Sequence, residues 1–164
     1  MKSFTLIELL IVTTIIFILS GLSLASYNGF TEEQKLKNEA RKFVDVLELA
    51  KKKAMTADIG NYDDDACSNF FGTRVDVLPL QYTLKLCCQK DCNNPSPTFP
   101  PYSFAPNIRF INTTGNITFS HIEAKISGIT SFTLKNTAIN KCLSITISSA
   151  GVINLNETLF SDGC

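Results

Sequence analysis

The chain has 164 residues with 15 basic and 15 acidic side chains, so its formal net charge at pH 7 is zero. A chain of this length can contain one membrane segment and one domain of about 105 residues with a single hydrophobic core. From Asp58 onward seven basic residues stand against nine acidic ones, which argues against a general nucleic-acid binder because phosphate contacts need local positive charge.

The first predicted element is an apolar run over residues 4–27, in which Glu8 is the only charged residue. A helix of about 20 apolar residues crosses the hydrocarbon core of a bilayer, so the run predicts a transmembrane helix. Lys2 precedes the run, and the positive-inside rule then places the rest of the chain outside the cytoplasm. A carboxylate in hydrocarbon is costly unless it is paired, so Glu8 is expected to have a functional partner.

Behind a three-residue leader the chain reads Phe4-Thr5-Leu6-Ile7-Glu8-Leu9-Leu10-Ile11-Val12. This sequence resembles the class III signal of type IV pilins and type II secretion pseudopilins. The resemblance implies that a prepilin peptidase cleaves between Ser3 and Phe4 and methylates the new amino group. It also implies that Glu8, fifth in the mature chain, pairs with the N-terminal ammonium of a neighbouring subunit, and it assigns Glu8 and Thr5 to filament assembly. The family usually has Gly where this chain has Ser3.

The resemblance implies a structural subunit, a minor pilin or pseudopilin, of a type IV pilus-like filament used in adhesion, DNA uptake or type II protein secretion. The implied partners are other pilin or pseudopilin subunits, prepilin peptidase, the inner-membrane assembly platform and membrane lipid. The implied location is a single pass through the inner membrane with the head outside the cytoplasm, followed by a surface or periplasmic filament. Nucleic acid is a further partner that the charge of the head does not favour.

Two other interpretations of the N-terminus are open. An ordinary secretory signal peptide would end in a small-x-small cleavage site, and Leu24-Ala25-Ser26 is a poor one. A plain signal anchor explains Lys2 and the apolar run but does not explain a charged residue at Glu8. The alternative function is therefore a membrane-anchored extracytoplasmic binding domain that does not polymerise.

Residues 28–58 are predicted to continue as an amphipathic helix. One apolar stripe recurs at steps of three and four residues, and it consists of Leu36, Ala40, Phe43, Leu47, Ala50, Ala54 and Ala57. The small residues in the stripe favour packing against a sheet over a coiled-coil seam. Ile59-Gly60-Asn61 then predicts the end of the helix, since Gly and Asn adopt the left-handed cap.

The remainder, residues 59–164, is predicted to be a β-rich extracytoplasmic head. Alternating apolar residues predict strands at 73–77, 81–86, 108–111, 117–119, 131–134, 143–147 and 152–155. The predicted fold class is α+β and pilin-like, with a long N-terminal helix, half transmembrane and half amphipathic, packed on an antiparallel β-sheet head. The predicted domains are the leader 1–3, the transmembrane or filament-core helix 4–27, the amphipathic helix 28–58 and the head. The helix followed by strands, together with Ala50-Lys51-Lys52-Lys53-Ala54, resembles the minor H-type (FimT-like) branch of the family.

All six cysteines lie in the head, at Cys67, Cys87, Cys88, Cys92, Cys142 and Cys164. An even number outside the cytoplasm predicts disulfides, although six cysteines allow 15 pairings and the sequence does not choose among them. The alternative is a metal site formed by Cys87, Cys88, Cys92 and His121, but zinc sites usually show two CxxC-like pairs and this chain shows only one compact Cys-Cys-x3-Cys cluster. The acidic run at 63–65 lacks the spacing of a calcium loop.

Catalytic motifs are missing from the sequence. The chain has one His and no nucleophile elbow, phosphate loop or HExxH spacing. We therefore predict that the protein is not an enzyme and has no cofactor.

Overall fold

A computed structural model describes residues 5–59, 67, 69–88, 92, 99–111, 114–121, 126–161 and 164, with only the backbone of residues 21–26. Its first element is the helix α1 (Leu6–Thr56). Thr5 caps the first turn, and Ala57 closes the last turn in the left-handed conformation, its N–H donating to the carbonyl of Lys53. The helix thus ends close to the point that the sequence predicts.

The described side chains of α1 fall into two stretches with different surroundings. Residues 6–20 are exposed throughout. In residues 27–56 the predicted stripe is buried, and Leu36, Ala40, Phe43, Leu47, Ala50 and Ala54 are each 0% exposed. The predicted stripe is thus confirmed at six of its seven positions, and the seventh, Ala57, is the cap of the helix.

The described part of the head forms two antiparallel sheets. Its strands are β1 (Gly72–Leu78), β2 (Gln81–Cys87), β3 (Tyr102–Ser103), β4 (Ile108–Ile111), β5 (Gly115–Ser120), β6 (Ile126–Gly128), β7 (Ser131–Asn136), β8 (Lys141–Ile147) and β9 (Ile153–Phe160). The first sheet has the order β3-β2-β1-β5-β6 and the second the order β4-β7-β8-β9. Alternation decides which side chains face inward: in β1, Val75 and Val77 are buried while Asp76 between them is partly exposed.

Phe43 lies where α1 meets both sheets. Its ring makes edge-to-face contacts with Tyr82 of the first sheet at 4.9 Å and with Phe110 and Phe132 of the second sheet at 4.9 and 5.2 Å between centroids. Such aromatic pairs stabilise a core beyond the area that they bury. The helix therefore joins the two sheets into one core.

The predicted fold class is wrong. The described head has two antiparallel sheets where one was predicted, and residues 6–20 of the helix pack on neither of them. Among the described residues, no helix has both the length and the apolar character that a membrane crossing requires. The alternating pattern of apolar residues could not reveal that the strands divide into two sheets. A strand with one face toward the core has the same pattern in either sheet. The stripe that contacts the sheets starts only at Leu36, so no long N-terminal helix is packed along its whole length.

Polar contacts fix the helix against the second sheet. Asn136 is fully buried, and its Nδ2 donates to the carbonyl oxygen of Glu32 at 3.2 Å and to the Glu32 carboxylate at 2.8 Å. The Asn136 Oδ1 accepts from the N–H of Ala138 at 2.9 Å, and Lys141 pairs with Glu33. At the other end of the helix the hydroxyl of Thr73, in the first sheet, donates to the carbonyl of Ala50 at 2.7 Å.

Changing Asn136→Asp should make stability depend strongly on pH. Hydrogen bonds from Lys35 and then Asn136 lower the pKa of Glu32 below 4.5, so the contribution of Glu32 to stability is present above about pH 4.5 and is lost as the pH falls through the folded-state pKa. In the variant the two carboxylates repel each other and the amide donor is gone. We expect the free energy of unfolding at about pH 7 to fall by about 1–3 kcal/mol, and the loss to shrink toward about pH 4 as one carboxyl is protonated.

The measurement is urea unfolding of the full chain at both pH values, followed by circular dichroism. Asn154→Asp, at an exposed position of β9, is the matched control and should change stability little at either pH. A loss in Asn136→Asp that is as large in acid as at neutral pH would contradict the explanation by charge.

Candidate functional site

Residues 6–20 of α1, here called the apolar segment, expose apolar side chains on every side. Eleven large apolar residues are between 49% and 82% exposed, namely Leu6, Ile7, Leu9, Leu10, Ile11, Val12, Ile15, Ile16, Phe17, Ile18 and Leu19. A helix that is apolar all round is normally buried, and large apolar patches mark interaction sites. The segment therefore has the character of a surface that a partner covers.

The few hydroxyl groups in the apolar segment are satisfied within the helix. Thr13 and Thr14 both donate to the carbonyl of Leu10, at 3.0 and 2.8 Å. Ser20 donates to the carbonyl of Ile16 at 2.7 Å. Because these groups do not need water, the segment can enter an apolar environment without leaving their hydrogen bonds unmade.

Glu8 belongs to a capping box at the start of α1. Its Oε2 accepts from the N–H of Thr5 at 3.0 Å and from the Thr5 hydroxyl at 2.8 Å, while the Thr5 Oγ1 accepts from the N–H of Glu8 at 3.4 Å. The other oxygen, Oε1, accepts no hydrogen bond from the described residues. Glu8 thus has a local structural role at the start of the helix.

Sequence reasoning missed this role of Glu8, although the signal was present. A Thr followed three residues later by a Glu, before an apolar run, is the sequence pattern of a capping box. The two residues predicted for filament assembly, Thr5 and Glu8, are brought together by it. The predicted cleavage and methylation residues, Ser3 and Phe4, lie outside the described residues.

No protein-family model, curated protein or solved structure matches this chain. The relation to pilins accordingly stays a prediction, which depends on residues 4–12 and on the chemistry of the apolar segment.

All six cysteines are paired, as predicted, and the structure supplies the pairing that the sequence left open. Cys67 pairs with Cys88, Cys87 with Cys92, and Cys142 with Cys164. The adjacent Cys87 and Cys88 have different partners, so two disulfides join the end of β2 to two separate parts of the chain. The third disulfide ties Cys164 to β8.

The residues of the alternative metal site are not assembled into one. Cys87, Cys88 and Cys92 are used in disulfides, and the Nδ1 of His121 lies 2.9 Å from the carbonyl oxygen of Ala54. His121 therefore joins the first sheet to the end of α1. The acidic run at 63–65 lies outside the described residues.

A cavity of about 550 Å³ lies on the outer face of the first sheet, among Arg74, Asp76 and Lys85. Asp76 pairs with both cations: Oδ1 accepts from Arg74, and Oδ2 lies 2.7 Å from the Lys85 Nζ. Arg74 also donates to the carbonyl of Cys92 at 3.0 Å. One carboxylate thus faces two cations, so this part of the lining has one net positive charge, and both cations are already paired with Asp76.

Proposed function

We propose that this chain is a structural subunit, a minor pilin or pseudopilin, of a type IV pilus-like filament. The observation that carries the proposal is the apolar segment, in which eleven large side chains are exposed at the end of a helix whose other end is anchored in the head. Burying one such side chain contributes about 1.5–3 kcal/mol. Packing the segments of several copies together would bury many of them at once, and it would supply most of the energy of assembly.

Glu8 sets the register of the helices in this proposal. One of its carboxylate oxygens is held by Thr5, and the other accepts the N-terminal ammonium that cleavage before Phe4 would create on a neighbouring copy. An ammonium and a carboxylate that are buried apart each cost several kcal/mol, but together they are tolerated. Only those arrangements of subunits that bring the two charges together would then be stable.

The location of the chain before assembly is proposed from the sequence. Residues 9–31 contain no charged side chain, which favours storage in the inner membrane with the head outside the cytoplasm. Disulfides form and persist in oxidising compartments, and the three disulfides of the head support that orientation. Prepilin peptidase, an inner-membrane assembly platform, lipid and other subunits are the partners that this function needs.

A second candidate function is a membrane-anchored binding domain that does not polymerise. The observation in its favour is the capping box, because Thr5 already satisfies one oxygen of Glu8 within a single copy. Mass spectrometry of the mature protein separates the two functions. N-methylated Phe4 at the N-terminus supports the filament subunit, whereas an intact Met1 supports the monomeric anchor.

Substitution of Glu8 tests the filament directly. In cells that make the filament, we expect Glu8→Ala and Glu8→Val to reduce incorporation of the chain into sheared filaments by at least about tenfold, because the partner ammonium is left buried and unpaired. The amount of the chain in the membrane fraction should not change. Glu48→Ala, at an exposed position of the same helix, is the control. Unchanged incorporation in both Glu8 variants would refute the pairing role.

A further inference from the structure

A second concave site lies between α1 and the edge of the first sheet. It has a volume of about 350 Å³, and its lining includes Glu39, Lys42 and Asp45 from the helix and Tyr82 and Tyr102 from adjacent strands. The three helix residues share one face because they are three positions apart, and Tyr82 and Tyr102 are directly opposite each other in β2 and β3. We call these five residues the aromatic-acidic niche.

Tyr82 is the unusual member of the niche. Its side chain is 2% exposed and stacks on Tyr102, with 5.2 Å between ring centroids and 11° between planes. Its hydroxyl makes no hydrogen bond to the described residues but is not sealed from water, since the fully buried side-chain polar atom without a partner in this part of the chain is the Ser120 Oγ. Burial, then the charges of Glu39 and Asp45, raise the pKa of Tyr82 far above its ordinary value of 10.0. The hydroxyl therefore stays neutral and can accept a hydrogen bond.

The charges of the niche do not balance. Glu39 and Asp45 contribute two carboxylates, and Lys42 contributes one ammonium. The Lys42 Nζ lies 2.7 Å from the Glu39 carboxylate, but the Lys42 side chain is 65% exposed. An ion pair that water reaches in this way contributes little, so Lys42 can give up its place on Glu39 to a cation that is better enclosed.

We propose that the aromatic-acidic niche binds an organic cation, an ammonium or guanidinium group. The Tyr102 ring offers a face for a cation–π contact, Glu39 accepts charge-assisted hydrogen bonds, and the Tyr82 hydroxyl accepts a further one. A metal ion fits less well, because Ca²⁺ needs six or more oxygen ligands and the niche offers two carboxylates. The volume suits a small ligand or one basic side chain. The proposal does not rest on the proposed function.

The test uses the full chain in a mild detergent with ¹³C-labelled tyrosine rings, followed by NMR. The probes are N-acetyl-lysine amide and N-acetyl-arginine amide, each with one positive charge, and neutral N-acetyl-glutamine amide is the control. We expect saturable shifts of the Tyr82 and Tyr102 signals with a dissociation constant on the order of 1 mM. Tyr27, which lies about 18 Å from Glu39 along the helix, should not shift. Shifts that do not saturate, or that the neutral amide reproduces, would overturn the proposal.

Three variants identify the groups that bind the probe. Glu39→Gln is expected to weaken binding at least about tenfold through loss of the carboxylate, and Tyr82→Phe should weaken it several-fold while keeping the ring contacts. Lys42→Gln should strengthen binding, because it removes the competing ammonium. Glu48→Gln, an exposed acid outside the niche, is the matched control and should bind the probe as the original chain does. Unchanged affinity in a folded Glu39→Gln variant would also overturn the proposal.

The cation could come from a second copy of this chain or from a free amine, and sedimentation without probe separates the two. A loss of self-association in Glu39→Gln, together with its loss of probe binding, assigns the niche to a basic side chain of a neighbouring copy. Unchanged self-association with the same loss of probe binding assigns it to a free amine. Both results support a cation site, and neither involves Glu8 or the cleavage before Phe4.

Discussion

Replacing Phe43 by alanine is expected to lower the free energy of unfolding by about 3–5 kcal/mol. The Phe43 side chain is 0% exposed, and its ring contacts Tyr82 in one sheet and Phe110 and Phe132 in the other. Alanine would therefore leave a cavity where this helix side chain touches aromatic rings of both sheets. Domains of this size are stable by about 5–15 kcal/mol, so the variant would lose a large part of its stability.

The measurement is urea unfolding of the full chain, with two companion variants. Phe43→Leu retains much of the volume and should lose clearly less than Phe43→Ala. Phe30→Ala removes the same ring from a position of the same helix that is 61% exposed, and it should change stability by no more than about 0.5 kcal/mol. Equal losses in Phe43→Ala and Phe30→Ala would mean that Phe43 does not join the helix to the sheets.

The local elements were predictable because periodicity reports which side of an element is buried. The stripe from Leu36 to Ala54 follows the helical period and is buried, and the alternating runs at 73–77 and 81–86 lie within β1 and β2. Periodicity has no information about which other element covers that side. The separation of β4, β7, β8 and β9 into their own sheet therefore had no signal in the pattern of any single strand.

Of the two candidate sites, one could be predicted from the sequence and the other could not. The capping box of Thr5 and Glu8 is local, and its sequence spacing was sufficient to predict it. The aromatic-acidic niche brings Glu39 together with Tyr82 and Tyr102, which are more than forty residues away along the chain. No spacing rule connects such residues, because their contact depends on how the helix packs against the edge of the first sheet.

The disulfide pairing is a third feature that the sequence could not predict. It leads to the prediction that the three disulfides differ in how much they stabilise the protein. In the chain-entropy account a disulfide destabilises the unfolded chain more when it closes a longer loop. The sequence separations are 22 for Cys142 and Cys164, 21 for Cys67 and Cys88, and 5 for Cys87 and Cys92. Replacing both cysteines by alanine should thus cost about 3 kcal/mol for either long loop and about 2 kcal/mol for the short one.

Paired substitutions are necessary for this comparison, because a single one would leave a thiol free to exchange with the neighbouring disulfide at Cys87 or Cys88. The pair Cys142 and Cys164 is the least affected by disulfide exchange, since neither residue adjoins another cysteine in the sequence. The free energies of unfolding come from urea titrations of the three double variants beside the original chain, with the remaining disulfides checked by mass spectrometry. A cost for the short loop that equals or exceeds the cost for the long ones would contradict loop closure as the main source of stabilisation, and it would point to local contacts at the end of β2.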